Sequence, residues 1–491
     1  MAVHPVVLLC HILVATMHLL FNISLDHCRF LLTSLRLLLT LVSTAVSDPA
    51  FHNFSPSLPE NVETLISYLD LEPKTKAFVT CPSCFQTYPF NPETLDSYPE
   101  LCTYKGTQSS DPCNHRLRRL TGVGVSKPVR LFLYHELEEW VSQLYSRPEM
   151  ETFLDRGISA RHPDEDGVGD ILDSPGIREF LGPDNNPNRP FLEPPGDEGR
   201  LIFSLNMDGF NPFMNKESGK KVSVGAMYMV CLNLPPAVRF DVENMFLAGI
   251  IPGPQEPSKE QINHILRPLV DDLEEFWLYG FFLTSTPGHP SGRLVHGAVV
   301  PLICDLPAAR QMSGFAGHSS RNFCSFCTTK AEDIENFNHW EWKSRSGSEH
   351  RHLAERWRDA QSDKIQADLY EEYGIRWSEL LRLPYWDPTK FLVIDSMHGF
   401  FLRLFQRHCR QIWGMNVDFE DGDRPSLNAN NVSNECMENA RDILRYKPEA
   451  KLRVLGVLIL RQLAREAGLR SGATKKVLIK SLLNYVRPDF V

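Results

Sequence analysis

Two residue patterns in this 491-residue sequence have types and spacings that can do chemistry. The first is cysteine. Cys81-x2-Cys84-x17-Cys102-x10-Cys113 has the form of a zinc ribbon, in which one close pair makes a knuckle and two later thiolates complete a tetrahedral site. A full set of four thiolates leaves no open position, so such a site is structural, and a small module built on it loses its fold without metal. His115 is an alternative to Cys113, and the bland reading is four free thiols in a loop. A second cluster comprises His318, Cys324 and Cys327, with His339 as a candidate fourth ligand for zinc. The other pattern is acidic. Asp208 closes the apolar run LIFSLNMD, and Asp305 follows the run LVHGAVVPLIC. Two carboxylates brought together are hard oxygen ligands suited to Mg²⁺ or Mn²⁺. A metal pair so held activates a nucleophile and stabilises the leaving oxygen in phosphodiester cleavage. The bland reading makes both residues turn formers, since Asp is common after strands.

The elements that must position these acids follow from periodicity. Residues 201–208, 222–234 and 245–251 read as strands, 259–282 as a long amphipathic helix, and 294–304 as a fourth strand. Three strands with short connections suit an antiparallel meander. The helix then crosses over to a strand parallel to the first, so the first and fourth strands become neighbours. Residues 315–380 read as an insertion, with cysteine and histidine first and a polar helix near 349–372. Residues 383–395 and 399–413 read as strand then helix, and residues 131–154 as a helix with Leu133, Leu137, Trp140, Val141 and Leu144 on one face.

Composition bounds the classes. With 42% hydrophobic and 23% charged residues, the chain has material for a core, which excludes a mainly disordered or collagen-like protein. Net charge is -10, so no global basic field recruits nucleic acid, and any DNA contact must come from local patches. The 12 cysteines are not arranged as the disulfide framework of a short secreted chain. Residues 5–20 and 30–46 are strongly apolar, and no Lys or Arg precedes Arg29, so the basic start of a signal peptide is missing. This segment has two readings, a helical hairpin packed on protein or a membrane-inserted one. Residues 454–486 read as helix–loop–helix, with Gly468 as a C-cap. There Arg470, Lys475, Lys476 and Lys480 gather near a helix N-terminus, a geometry that favours phosphate. The bland reading is a solvated basic face.

Three stretches, NMDGFNPF (206–213), PLICDLPAARQMSGFAGHSSRNFCSFC (301–327) and IDSMHGFFLRLFQRHCRQIWGM (394–415), resemble the CACTA (En/Spm-like) DNA transposase family of fungal type. The stretch GLRSGATKKVLI (468–479) is similar to the SAP module, a small DNA-binding helix–loop–helix. The resemblance implies an α/β chain in four parts. An apolar helical segment (1–47) precedes a zinc-ribbon-like module (75–120). A ribonuclease-H-like mixed-sheet core (200–415) carries the Cys/His insertion at 315–380, and a SAP-like module (450–488) follows. It implies Asp208 and Asp305 as the first and second catalytic acids and matches Asp395 and His398 to a DxxH signature, whose members either act in catalysis or support the fold. The family's third acid lies downstream. Glu435, Glu438 and Glu449 are candidates by position, and none sits in a matching motif. The implied activity is metal-dependent cleavage and transfer of DNA strands in the nucleus. Its expected partners are transposon ends and target DNA, with a homo-oligomer left open. The alternatives are a truncated, inactive DNA-binding relative and a membrane-associated protein.

Overall fold

The computed structural model describes residues 4–21, 23–45, 58–94, 97–120, 126–159, 169–184, 186, 188–212, 222–413, 437–438, 440–441, 443–444, 452, 455–469 and 475–486. The chain divides into two compact units, Met1–Leu404 and Phe405–Val491.

The first unit begins with helices α1 (Pro5–Leu19), α2 (Leu25–Ala45) and α3 (Val62–Tyr68), which pack on one another around Val7, Val14, Leu32, Val62 and Leu65. α2 turns Arg29 and Arg36 toward Glu63 and Glu60 at 3.4 and 3.0 Å, next to or within α3. Its length and composition suffice to cross a membrane, although its two arginines are engaged in these pairs.

Then come β1 (Thr75–Thr80), β2 (Thr87–Pro89), a small hairpin of β3 (Arg118–Leu120) and β4 (Ser126–Pro128), and β5 (Leu131–His135). β5 corrects the helix expected from residue 131. Phe132 and Tyr134 are buried while Leu131 and Leu133 are exposed, a period of two that fits a strand. The helical stripe begins only with α4 (Leu137–Ser146), and α5 (Pro148–Ser159) continues it.

After the short helix α6 (Pro175–Arg178) come β6 (Gly199–Phe210), β7 (Val224–Cys231), α7 (Pro236–Arg239), β8 (Met245–Ile251), α8 (Ile262–Leu278), β9 (Phe281–Leu283) and β10 (Arg293–Cys304). Among the described residues nine strands form one sheet, in the order β11-β10-β6-β7-β8-β5-β1-β2, with β9 beside β10 and β11 spanning Leu392–Ile394. The pairs β6/β7 and β7/β8 are antiparallel, whereas β10 runs parallel to both β6 and β11. This is the expected meander followed by a crossover. Strands β1 and β2, which flank Cys81 and Cys84, extend the same sheet through β5.

β6 and β10 are buried along most of their length, as strands covered on both faces must be. Leu201, Phe203 and Leu205 enter the main core with α8, while the alternating Ile202 joins Phe180, Phe191 and Val300 on the opposite face. α8 lies close to the sheet because position 297 is glycine. A Cβ there would stand 2.1 Å from Phe276 Cε1.

Between β10 and β11 the chain makes α9 (Leu306–Ser313), α10 (Gly347–Arg358) and α11 (Asp363–Tyr373), so the expected single polar helix is two. Ser362 caps α11, and Asp359 ends α10. The strand expected over 383–395 is confined to Leu392–Ile394, because Leu383 to Phe391 turn to buttress β10. Beyond it, the helix expected over 399–413 consists of wide, π-type turns at Met397–Phe405 and His408–Ile412.

In the second unit, α12 (Val457–Glu466) and α13 (Lys475–Val486) share a core of Leu460, Leu463, Leu478 and Leu482. Gly468 has φ +67°, and the Leu469 N–H closes on the Ala464 carbonyl at 2.7 Å, as the expected C-cap requires.

Candidate metal and acid sites

β6, β10 and β11 set the level of three acids. Leu205 of β6 is in register with Leu302 of β10, and Leu302 with Leu392 of β11. Asp208, Asp305 and Asp395 each stand three residues beyond that row, Asp208 two residues before the end of β6 and the others just past β10 and β11. The level depends on a bulge. Val299 pairs with Phe203 but Leu302 pairs with Leu205, so β10 spends one residue more than β6. Without it, Cys304 would stand level with Asp208.

The bulge is held by side chains from the segment before β11. Tyr385 Oη accepts the Val299 N–H at 3.2 Å, and Trp386 Nε1 donates to the Val300 carbonyl at 3.2 Å. These bonds satisfy backbone groups that the shifted ladder leaves over. Sequence reading missed both residues, since an aromatic pair between two prolines gives no signal of which backbone group it will meet.

Each acid has a different setting. Asp208 is exposed at the end of β6, opposite Ala226. Asp305 is the N-cap of α9, and its Oδ1 accepts the Ala308 N–H at 2.8 Å. Asp395 Oδ1 accepts the Met397 N–H at 3.0 Å, and its Oδ2 meets His398 Nδ1. Partial burial pushes the Asp395 carboxyl up, but the His398 contact and the Met397 N–H outweigh it and hold it below the ordinary value. Cys304 sits among the three. Burial first, then the charges of Asp305, Asp208 and Asp395, push its thiol up to about 12. Burial, Asp208 and Asp395 likewise raise Tyr228 of β7.

A pocket of about 180 Å³ opens beside this row, lined by Asp208, Asp305 and Glu256 together with Ser223, Gln255 and Gln311. Glu256, on the loop between β8 and α8, accepts from Ser223 Oγ at 2.6 Å. It belongs to no motif, and only the return of this loop to the ends of β6 and β10 reveals it. Of the downstream candidates for a third acid, Glu438 is exposed, and Glu435 and Glu449 lie outside the described residues.

The four ribbon cysteines converge. The Sγ atoms of Cys81, Cys84, Cys102 and Cys113 all lie within 4.8 Å of one another. Cys81 and Cys113 are 3.7 Å apart, and Cys84 and Cys102 3.4 Å. Zn–S bonds of about 2.3 Å in a tetrahedron place sulfurs about 3.8 Å apart, so the set fits zinc. The fourth member is Cys113 rather than His115. Among the described residues this is the one group of three or more such ligand atoms. Cys324 and Cys327 are close, at 3.3 Å, but His318 and His339 do not close a second site around them. The Arg345 Nε donates to both of their carbonyls, at 2.9 and 3.1 Å, and ties the turn together. Lys476 and Lys480 are exposed on α13 and Lys475 is half-buried at its start, while Arg470 lies outside the described residues.

Residues 193–364, which carry Asp208, Glu256, Asp305 and most of the sheet, match the profile of the transposase family tnp2. No curated protein matches the chain.

Proposed function

We propose, from a transposase-family domain that spans the two strands bearing Asp208 and Asp305, that this chain is a metal-dependent DNA transposase of the CACTA type with a ribonuclease-H-like core. The observation that carries the reading is the equal level of Asp208 and Asp305 on adjacent parallel strands. Mg²⁺ or Mn²⁺ held there would activate the attacking oxygen and stabilise the leaving one. In the reaction proposed, water cleaves a phosphodiester at the element end, and the freed 3′ hydroxyl then attacks a phosphodiester of target DNA. Asp208 and Asp305 would supply the negative charge to hold those cations. His398 orients Asp395 beside them. Zinc at Cys81, Cys84, Cys102 and Cys113 would hold the edge of the sheet, and the SAP-like pair α12–α13 would hold duplex DNA through Lys475, Lys476 and Lys480, in the nucleus. Residues 5–45 are a hairpin packed on α3 in this reading.

A second reading, a catalytically inactive DNA-binding relative, has one observation in its favour. Among the described residues, no three acids gather their ligand atoms as closely as the cysteines do. A nicking assay on duplex DNA with Mn²⁺ separates the two. Cleavage by the wild type that Asp208→Ala abolishes supports the enzyme, and a wild type that binds DNA without cutting it supports the relative.

A further inference from the structure

We propose that Gln261 is a positioning residue that couples metal binding at the four cysteines to the wall of the acid pocket. The inference rests on the reading that those cysteines hold zinc.

Ser83 lies inside the knuckle between Cys81 and Cys84, so its carbonyl direction is set by whether both thiolates grip one ion. Gln261 Nε2 donates to that carbonyl at 2.9 Å. The same amide's Oε1 accepts the Ser258 N–H at 2.8 Å. A carbonyl on one side and an N–H on the other leave the amide a single orientation. Gln261 therefore joins the knuckle to the loop that carries Glu256.

The same stretch of that loop is tied to α9. Gln311 Nε2 donates to the carbonyls of Pro257 and Ser258, at 2.8 and 3.1 Å. α9 is the helix that Asp305 caps through the Ala308 N–H. The route from zinc ligand to acid is thus Ser83, Gln261, Ser258, Gln311 and Asp305, each step a hydrogen bond or a single helix. Glu256, immediately before these anchors in the chain, lines the pocket with Asp208 and Asp305.

The cysteine segment also docks elsewhere, and that contact supplies a control. Thr107 and Ser110 donate to Asp363 at the start of α11, at 2.9 and 2.6 Å, without touching the loop.

The test is amide hydrogen exchange on the full chain, zinc-loaded and zinc-stripped under reducing conditions, read at Ser258 and Ala308. Stripping the wild type is expected to speed exchange at both amides by about three- to tenfold, the size of one lost hydrogen bond. Gln261→Leu with zinc still bound should show the same change, and stripping it should add nothing at Ala308. Asp363→Asn should leave both amides as in the wild type. Unchanged exchange at Ala308 after stripping, additive effects of stripping and Gln261→Leu, or equal loosening by Asp363→Asn each overturns the coupling. Metal analysis separates the failures. A purified chain without zinc removes the cysteine-site reading and this inference together, whereas zinc present with Ala308 unmoved removes the inference alone.

Discussion

Asp305 stands level with Asp208 because β10 carries one residue more than β6 between the pairs Val299/Phe203 and Leu302/Leu205. Residues on parallel neighbours at one level lie about 4.8 Å apart along the sheet. The extra residue therefore replaces a buried thiol with a carboxylate beside Asp208. It also turns Cys304 inward, where its Sγ accepts the Met207 N–H at 3.2 Å.

Tyr385 and Trp386 hold that bulge, so their effect on activity should exceed their effect on the rest of the fold. Tyr385→Phe removes the acceptor of the Val299 N–H and leaves a buried donor without a partner. A loss of about 1–3 kcal/mol in stability is expected. Denaturant unfolding measures it. Mn²⁺-dependent nicking in Tyr385→Phe should fall further than in a core variant of equal stability, and equal falls would count against a role in setting the register.

Asp305 has two tasks that substitutions can separate. Its Oδ1 caps α9, so Asp305→Ala should cost about 1 kcal/mol, while Asp305→Ser keeps a cap and should cost a few tenths. Both should abolish nicking. An Asp305→Ser variant that cuts DNA at the wild-type rate would show that the carboxylate only caps the helix.

Metal content should be one zinc per chain. The four ribbon cysteines form a closed set, and Cys324 with Cys327 gathers no histidine. Cys102→Ser should lose the ion and lower the melting temperature, whereas Cys324→Ser should retain it. Elemental analysis of the purified variants decides the point, and two equivalents in the wild type would restore a second site at Cys324 and Cys327.

Acid should weaken the fold through His264. Burial, then the Arg267 charge, lowers its imidazole to about 4. A folded pKa below the unfolded one, near 6.5, means the unfolded chain binds the proton first. Stability from this group is complete above about pH 6.5, falls as pH drops toward 4, and is flat below, with roughly 3 kcal/mol as the upper limit. His264→Leu should make that slope shallower in unfolding curves taken between pH 7 and 4, leaving the part that the buried His350, His135 and His296 contribute. A slope identical to the wild type would locate the titration elsewhere.

Much of the central architecture was legible because it is written in local periodicity. The apolar runs before Asp208 and Asp305 and the stripe of α8 leave few ways to build a sheet in which the first and fourth strands meet. The cysteine spacing was legible for a similar reason, since close pairs constrain a tetrahedral site directly. By contrast, the helix expected from residue 131 failed because Leu133 matched a helical stripe by coincidence, while Phe132 and Tyr134 follow the strand period.

The sequence by itself determined the order of strands and helix, the two acids that end β6 and β10, and the four thiols. Tertiary structure decided the rest. It set the level of the acids through a bulge whose freed backbone groups are met by Tyr385 and Trp386, 86 residues away in the chain. It brought Glu256 to the pocket and the Cys81–Cys84 knuckle to Gln261, and it left His318 and His339 apart from Cys324 and Cys327. The physical reason is range. Periodicity and ligand spacing act within one element, whereas register, bulges and loop anchoring depend on partners that meet only when distant segments pack.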